Sequence, residues 1–304
     1  MSLFSLIHNT TRILIHEYRA KVQAIKVYQS IKKERLNIEN LLPDVRDTID
    51  YCIRKRCVRV FNEEFVDRIK CSKIHLEYDD NLHMFYVDHY GNKLYFHRGY
   101  TRKKQVINTY RTILLEQDAR SPHRYLYENE DLSGYNIIEC GSAEASFSLD
   151  CVEVANRVYI FEADNRWEEA LRNTFNPWLH KVEIISKFLS REKRNGAISL
   201  AEWIESRIES GDIETDRKLF IKMDIEGFET EVIEDIKEIL KKFDYVKLAV
   251  CVYHNKEDEN RIYEQFEEQY MMKPMNGYIV WLYSPQWLEF PYFRRGVIRI
   301  EKKD

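Results

Sequence analysis

The chain has 304 residues, 44% hydrophobic and 32% charged, enough for one full α/β domain with a smaller appended region and unlike a largely disordered chain. No apolar run approaches the ~20 residues of a membrane span, and no apolar core or small-residue cleavage site follows Met1–Asn9, so neither a transmembrane segment nor a signal peptide is expected and a cytoplasmic location is. The net charge of −4 and a pI of about 6.2 speak against nucleic acid as a partner.

Charge is nonetheless uneven, about +6 over residues 1–130 and about −10 over 131–304, which predicts two regions with different jobs. In the first, residues ~3 to 36 read as a long amphipathic helix, with Tyr18, Val22, Ile25, Tyr28 and Ile31 sharing one face. Such a helix packs on its own protein, forms a homodimer contact or lies on a membrane surface. A second helical region is expected over ~41 to 70, opened by Pro43-Asp44. The period then changes: residues 83–88 and 93–97 are β-rich runs around the turn signal His89-Tyr90-Gly91-Asn92, which predicts a hairpin. A helical pattern returns over ~101 to 120, and Ser133-Gly134 marks entry to a second region, 131–304.

From 135 onward strands and helices alternate. Strands are expected at Asn136–Cys140, Val158–Glu162, Val182–Ile185, Leu219–Asp224, Val246–Tyr253, Gly277–Tyr283 and Phe293–Ile300, with helices Phe147–Ala155, Trp167–Asn173, Leu200–Ser210, Glu229–Lys242 and Glu257–Tyr270 between them. This is the rhythm of a doubly wound sheet, its last two strands pairing antiparallel at one edge. The six cysteines, at 52, 57, 71, 140, 151 and 251, form no C-x-x-C pair and are expected as reduced thiols.

The first strand ends in Glu139-Cys140-Gly141-Ser142-Ala143-Glu144-Ala145-Ser146, an acid and small residues before a helix start. Small residues there let backbone approach a ligand lying across the strand ends. Glu162, closing the second strand, lies ~20 residues after Gly141, where such folds place an acid on ribose hydroxyls. A single glycine in the turn lacks the G-x-G-x-x-G pyrophosphate fingerprint, which weakens a nicotinamide dinucleotide relative to S-adenosylmethionine.

Glu139–Leu149, Phe161-Glu162-Ala163-Asp164 and Lys222-Met223-Asp224-Ile225-Glu226-Gly227-Phe228-Glu229 together resemble the FkbM-family methyltransferases, over residues ~130 to 300. The last segment matches that family's K-x-D-x-E-G-x-E motif in full. The first departs from it, with Glu139 in place of Asp and Ala145 in place of Gly. The resemblance implies an α/β fold with a Rossmann-like class I methyltransferase sheet, preceded here by the N-terminal helical and hairpin region. It implies S-adenosylmethionine as cofactor and a hydroxyl of a carbohydrate, glycan precursor or secondary metabolite as acceptor. Glu139, Gly141, Ser142, Ala145 and Ser146 would line its methionine and ribose side. Glu162 would hold the ribose hydroxyls, with Ala163 and Asp164 near the adenine and Ser186-Lys187-Phe188 on its other face. The alternative, a non-catalytic methyltransferase-like scaffold, draws on the two departures. The Ala145 methyl is expected either to crowd the cofactor or to sit at an unfavourable φ.

Methyl transfer needs an acceptor held in line and a group that takes its proton. Asp224, Glu226 and His254, at the ends of the fourth and fifth strands, are the candidates, with His254 as general base because a free imidazole titrates near neutrality. The same three residues would suit a divalent metal, a reading less favoured than none. Among the aromatics, 281–283, Trp287 and 292–293 are edge packing or a stacking wall. Arg294-Arg295 are edge charges or contacts to an anionic substrate.

Overall fold

A computed structural model of the chain describes residues 22, 24–32, 43–192, 196–266, 268–280 and 293–303. Most of the first expected helix lies outside these residues. Its described part, 24–32, is helical, and Val27 and Ile31 are buried against Val45, Ile49 and Cys52. This stretch therefore packs on its own chain. The expected dimer contact rests largely on residues outside the described ones, as do Trp281, Trp287 and Tyr292.

The second helical region is two helices, α1 (Pro43–Lys55) and α2 (Phe65–Lys70). The helical period hides the break, which starts at Arg56 in a left-handed conformation, φ 53. The hairpin forms as β2 (Met84–His89) and β3 (Asn92–Phe96), with Tyr90 and Gly91 both at positive φ, the turn whose twist matches paired strands. A strand not expected, β1 (Leu76–Asp79), pairs antiparallel with β2. Helix α3 (Lys103–Glu116) completes this region.

The main sheet has seven strands: β4 (Asn136–Cys140), β5 (Arg157–Phe161), β6 (Val182–Ile185), β9 (Lys218–Met223), β10 (Tyr245–Cys251), β11 (Tyr270–Pro274) and β14 (Val297–Lys302). Their order is β11-β14-β10-β9-β4-β5-β6. The central pairs are parallel and β14 is antiparallel to both its neighbours. The fold is thus α/β and Rossmann-like. Strand β4 is buried at every position, as a parallel strand covered on both faces must be. Helices α4 (Ser146–Cys151), α5 (Glu168–Thr174), α6 (Leu200–Glu209), α7 (Glu229–Leu240) and α8 (Asp258–Gln265) supply that cover.

Two expectations are corrected at the sheet edge. The partner of the last strand is Tyr270–Pro274, not Gly277–Tyr283, so the helix expected to reach Tyr270 ends at Gln265. Strand β12 (Ile279–Val280) instead pairs with β13 (Phe293–Arg294) in a separate ribbon, and β7 (Phe188–Leu189) pairs with β8 (Ala197–Ile198) in another. Residues Met271 to Lys273 alternate exposed and half-buried, an edge-strand pattern that a helix-to-strand switch without glycine or proline conceals.

Residue 130 is not a packing boundary. One hydrophobic cluster runs from Phe61, Phe96 and Ile113 into Phe147, Phe175 and Phe220. The Tyr95 amide donates to the Thr174 hydroxyl at 3.0 Å, and Arg299, fully buried, grips Glu130 through two bonds of 2.6 and 2.9 Å. All six cysteines are free. No described helix is long and apolar enough to cross a membrane.

Candidate active site

The chain leaves β4 toward β5 and β6 on one side, then crosses back to β9 on the other. In sheets of this kind a crevice opens at the carboxyl ends of the strands where the order reverses. A cavity of about 360 Å³ occupies that place, lined from the turns after β4, β5 and β9, the segment after β6 and the end of α3.

Gly141 sits at φ +73, and a Cβ there would lie 1.8 Å from the Asp224 carbonyl oxygen. The glycine is needed because the turn after β9 passes against it, and it also lines the cavity. Ala143 and Ala145 also adopt left-handed conformations, φ 45 and 56. Ala145 is fully buried in the hydrophobic cluster, and the cavity wall runs Gly141–Glu144, then Ser146. Of its two expected effects, the strained φ is the one that occurs.

Glu139 lies directly across from Lys222 in the β4–β9 register. Its carboxylate accepts from the Ser148 amide at 3.1 Å and from the Ser148 hydroxyl, and it pairs with the Lys222 ammonium at 3.4 Å. That ammonium also donates to the Gly141 carbonyl. Burial by itself would lower the lysine's pKa, but the Glu139 and Asp224 charges hold it above the ordinary value. Glu162 lines the cavity and joins two turns, accepting from the Ala143 amide at 2.6 Å and the Asp164 amide at 2.7 Å. Asp164 accepts from the Arg166 amide and side chain. Ala163 is on the cavity wall; Ser186 is not among its residues and donates to Glu168 at 3.4 Å, while Lys187 and Phe188 line it. The buried Ser142 hydroxyl lines the cavity with no hydrogen-bond partner among the described residues.

Asp224 is the hub of the other wall. It accepts from the Tyr125 hydroxyl at 2.9 Å and the Tyr253 hydroxyl at 3.3 Å. His123 stands 3.5 Å and His254 3.6 Å away. Burial would raise Asp224, but the His123 contact and the Lys222 and His254 charges keep it well below the usual carboxylate range. Glu226, at φ 57, is exposed on the rim.

His254 requires a correction. Its ring lies behind the cavity wall, with Nδ1 2.9 Å from Glu229 and Nε2 3.6 Å from both Asp224 and Glu226. Burial would lower its pKa, but these carboxylates push it up to about 9. Holding the proton is favoured there, which runs against the expected role of a neutral base. Ligand atoms of Asp224, Glu229 and His254 do converge within 4.8 Å, as do those of His123, Asp224 and Cys251. Glu229 thus stands where Glu226 was expected. A metal would first have to displace the His254 proton, or that of the Cys251 thiol, which burial pushes well above its ordinary range.

The motif reading passed over several residues. Lys222 shares a strand face with Asp224, so the pair was visible in the K-x-D spacing. Glu116, Tyr125, His123 and Tyr253 come from distant segments, and no local signal joins them to the site. Glu144 stands in the first turn, where the motif is carried by its small neighbours.

No protein-family model matches the chain, and no curated protein sequence does. Among solved structures it is similar to the methyltransferase FkbM from Methylobacillus flagellatus KT, with 17% identity over 64% of this chain and 52% of that one, TM-score 0.40. It is similar to a precorrin-6y C5,15-methyltransferase from Geobacter metallireducens GS-15, with 14% identity over 58% and 82% of the two chains, TM-score 0.36. A putative RNA methyltransferase from Pyrococcus horikoshii gives 13% identity over 57% and 77%, TM-score 0.30. The chain spans about half the length of the first of these. Likeness this distant carries nothing from those proteins to this chain.

Proposed function

We propose that the chain is an S-adenosylmethionine-dependent methyltransferase acting on a hydroxyl group, the acceptor class being the carbohydrate, glycan precursor or secondary metabolite that the FkbM resemblance implies. The observation that carries this reading is the carboxyl-rich lining of the cavity. Carboxyl groups line it from four segments: Glu116 from α3, Glu139 and Glu144 around the first turn, Glu162 and Asp164 after β5, and Asp224 and Glu226 after β9. Lys187 and Lys222 are the basic residues of its wall. Such a wall repels the pyrophosphate of a dinucleotide and suits a ligand bearing an ammonium and a sulfonium.

The residues fit that cofactor in other respects. Glu162 keeps a second lone pair on each oxygen for ribose hydroxyls, and the Ser142 hydroxyl is a buried polar atom awaiting a partner. Bound there, the cofactor supplies an electrophilic methyl group. The chain's own contribution is to orient the acceptor and receive its proton. Asp224, held in its ionised form and fixed by two tyrosine hydroxyls, is suited to orient the acceptor hydroxyl and to take its proton, which becomes strongly acidic as the O–CH3 bond forms and the C–S bond breaks. His254 and Glu229 hold Asp224 in place from behind, and Glu226 stands at the entrance. The saturation of Glu139 by Ser148 and Lys222 favours the second reading, a binding protein without turnover.

Calorimetry with S-adenosylhomocysteine and with NAD tests the cofactor directly, with binding of the first and not the second expected. Glu162→Ala is expected to weaken that binding by about 1–3 kcal/mol in a folded protein. Asp224→Asn is expected to lower turnover on an identified acceptor by roughly a hundredfold while changing cofactor affinity much less. NAD binding alone would overturn the reading. Tight S-adenosylhomocysteine binding without methylation across hydroxylated acceptors would select the binding protein.

A further inference from the structure

A cofactor of this kind carries an ammonium that needs anionic or carbonyl partners. At the end of β4 the obvious acceptors are already in use. Lys222 donates to the Gly141 carbonyl and pairs with Glu139, whose carboxylate also takes two bonds from Ser148. A second ammonium at that point would face the lysine at close range.

Elsewhere in the same cavity two carboxyl groups are differently placed. Glu116 is the last residue of α3 and Glu144 belongs to the turn after β4; both line the cavity. Among the described residues neither has a hydrogen-bonded or ion-paired side chain as partner, and Glu144 bonds only its own backbone amide. Glu144 is almost fully buried, a position that carboxyl groups occupy without a partner only at a cost. Resting on the cofactor reading above, we propose that Glu116 and Glu144 together form the subsite for the cofactor's ammonium group, in place of the strand-end acid Glu139.

Burial raises the pKa of both groups, and Glu144 also stands in the field of Glu116. Glu144 is pushed up to about 8. Facing Glu144 are Glu116, Lys222, Glu139 and Tyr100. Facing Glu116 are His123, Asp224, Lys222 and Glu226, together with Tyr125, Cys251 and Tyr253. Near pH 7 the protonated form of Glu144 is favoured. An ammonium placed against the pair favours the charged carboxylates and expels the proton. The affinity of an ammonium-bearing ligand then rises with pH up to about 8, because binding releases a proton.

The test is calorimetry of the full chain with S-adenosylhomocysteine and with 5′-methylthioadenosine, which lacks the amino-acid tail, in buffers of different ionisation enthalpy. The first ligand is expected to release about one proton at pH 7 and the second none. Glu144→Gln, which keeps the shape of the side chain, is expected to abolish the release. It should weaken S-adenosylhomocysteine by about tenfold or more, as Glu116→Gln should, and leave methylthioadenosine unchanged. Binding of S-adenosylhomocysteine without proton release, or with full affinity in both variants, overturns the subsite and leaves the cofactor reading standing. So does a selective loss of S-adenosylhomocysteine in Glu139→Gln. If wild-type protein binds neither ligand, the cofactor reading fails and the subsite with it.

Discussion

The turns after β4 and β9 lie against each other beside one crevice, and each follows a strand carrying an acid at or near its end. They use those acids in opposite ways. In the first, Glu139 is locked by Ser148 and Lys222, and Glu162 reaches over from β5 to hold the Ala143 amide. These charges build the turn. In the second, Asp224 gathers Tyr125, Tyr253, His123 and His254 while remaining on the cavity wall. An acid at a strand end is therefore ambiguous, and the partners brought to it by the fold decide whether it acts as scaffold or as a working group.

The sharpest way to break this comparison is Lys222→Met. If Glu139 is scaffold, removing its cation strands a buried carboxylate and should cost about 3–5 kcal/mol in urea unfolding. The double variant Lys222→Met/Glu139→Leu should recover much of that loss. A single variant of wild-type stability would show that the pair does not hold the turn.

His254 probes the second turn through pH. Its pKa is raised to about 9 by Glu229 and its neighbours against the opposing effect of burial. The stability it contributes is thus fully present below the unfolded value near 6.5 and is lost as pH rises through about 9. His254→Gln should destabilise the protein by about 3 kcal/mol at most near pH 6, with the difference fading above pH 9. A His254 resonance, assigned by its loss in His254→Gln, that titrates near 6.5 in the folded protein would contradict this account.

Glu144 has the same sense over a lower range. Its raised pKa means that stability present at pH 4 is lost as pH rises toward about 8. Glu144→Gln should therefore stabilise the ligand-free protein at pH 7, by about 3 kcal/mol at most, and leave it unchanged at pH 4. Equal melting temperatures at pH 7 would show that burial does not strain this carboxyl.

The smallest effect concerns Ala145. Glycine there relieves a left-handed backbone costing ~1–2 kcal/mol but adds unfolded-chain entropy of opposing sign. The net expectation is a gain of up to about 1 kcal/mol in thermal unfolding. S-adenosylhomocysteine affinity should be equal or slightly tighter, since the methyl group points into the core. A marked loss of affinity would show that the turn's ligand face depends on alanine.

The sequence by itself determined the β/α alternation from 135, because fully buried parallel strands and amphipathic helices write different periods along the chain. It determined the hairpin, through Tyr90-Gly91. It did not reveal Tyr270–Pro274 as the edge strand, since that strand is selected by pairing with Val297–Lys302 rather than by any local punctuation. Nor did it reveal the state of His254, whose neutral reference value was the wrong guide once the fold set three carboxylates around it. Tyr125 and Asp224 are separated by 99 positions and hydrogen-bonded at 2.9 Å. Local spacing can predict which residues share a strand or helix face, but contacts at that separation, and the pKa values they set, exist only after the sheet has closed.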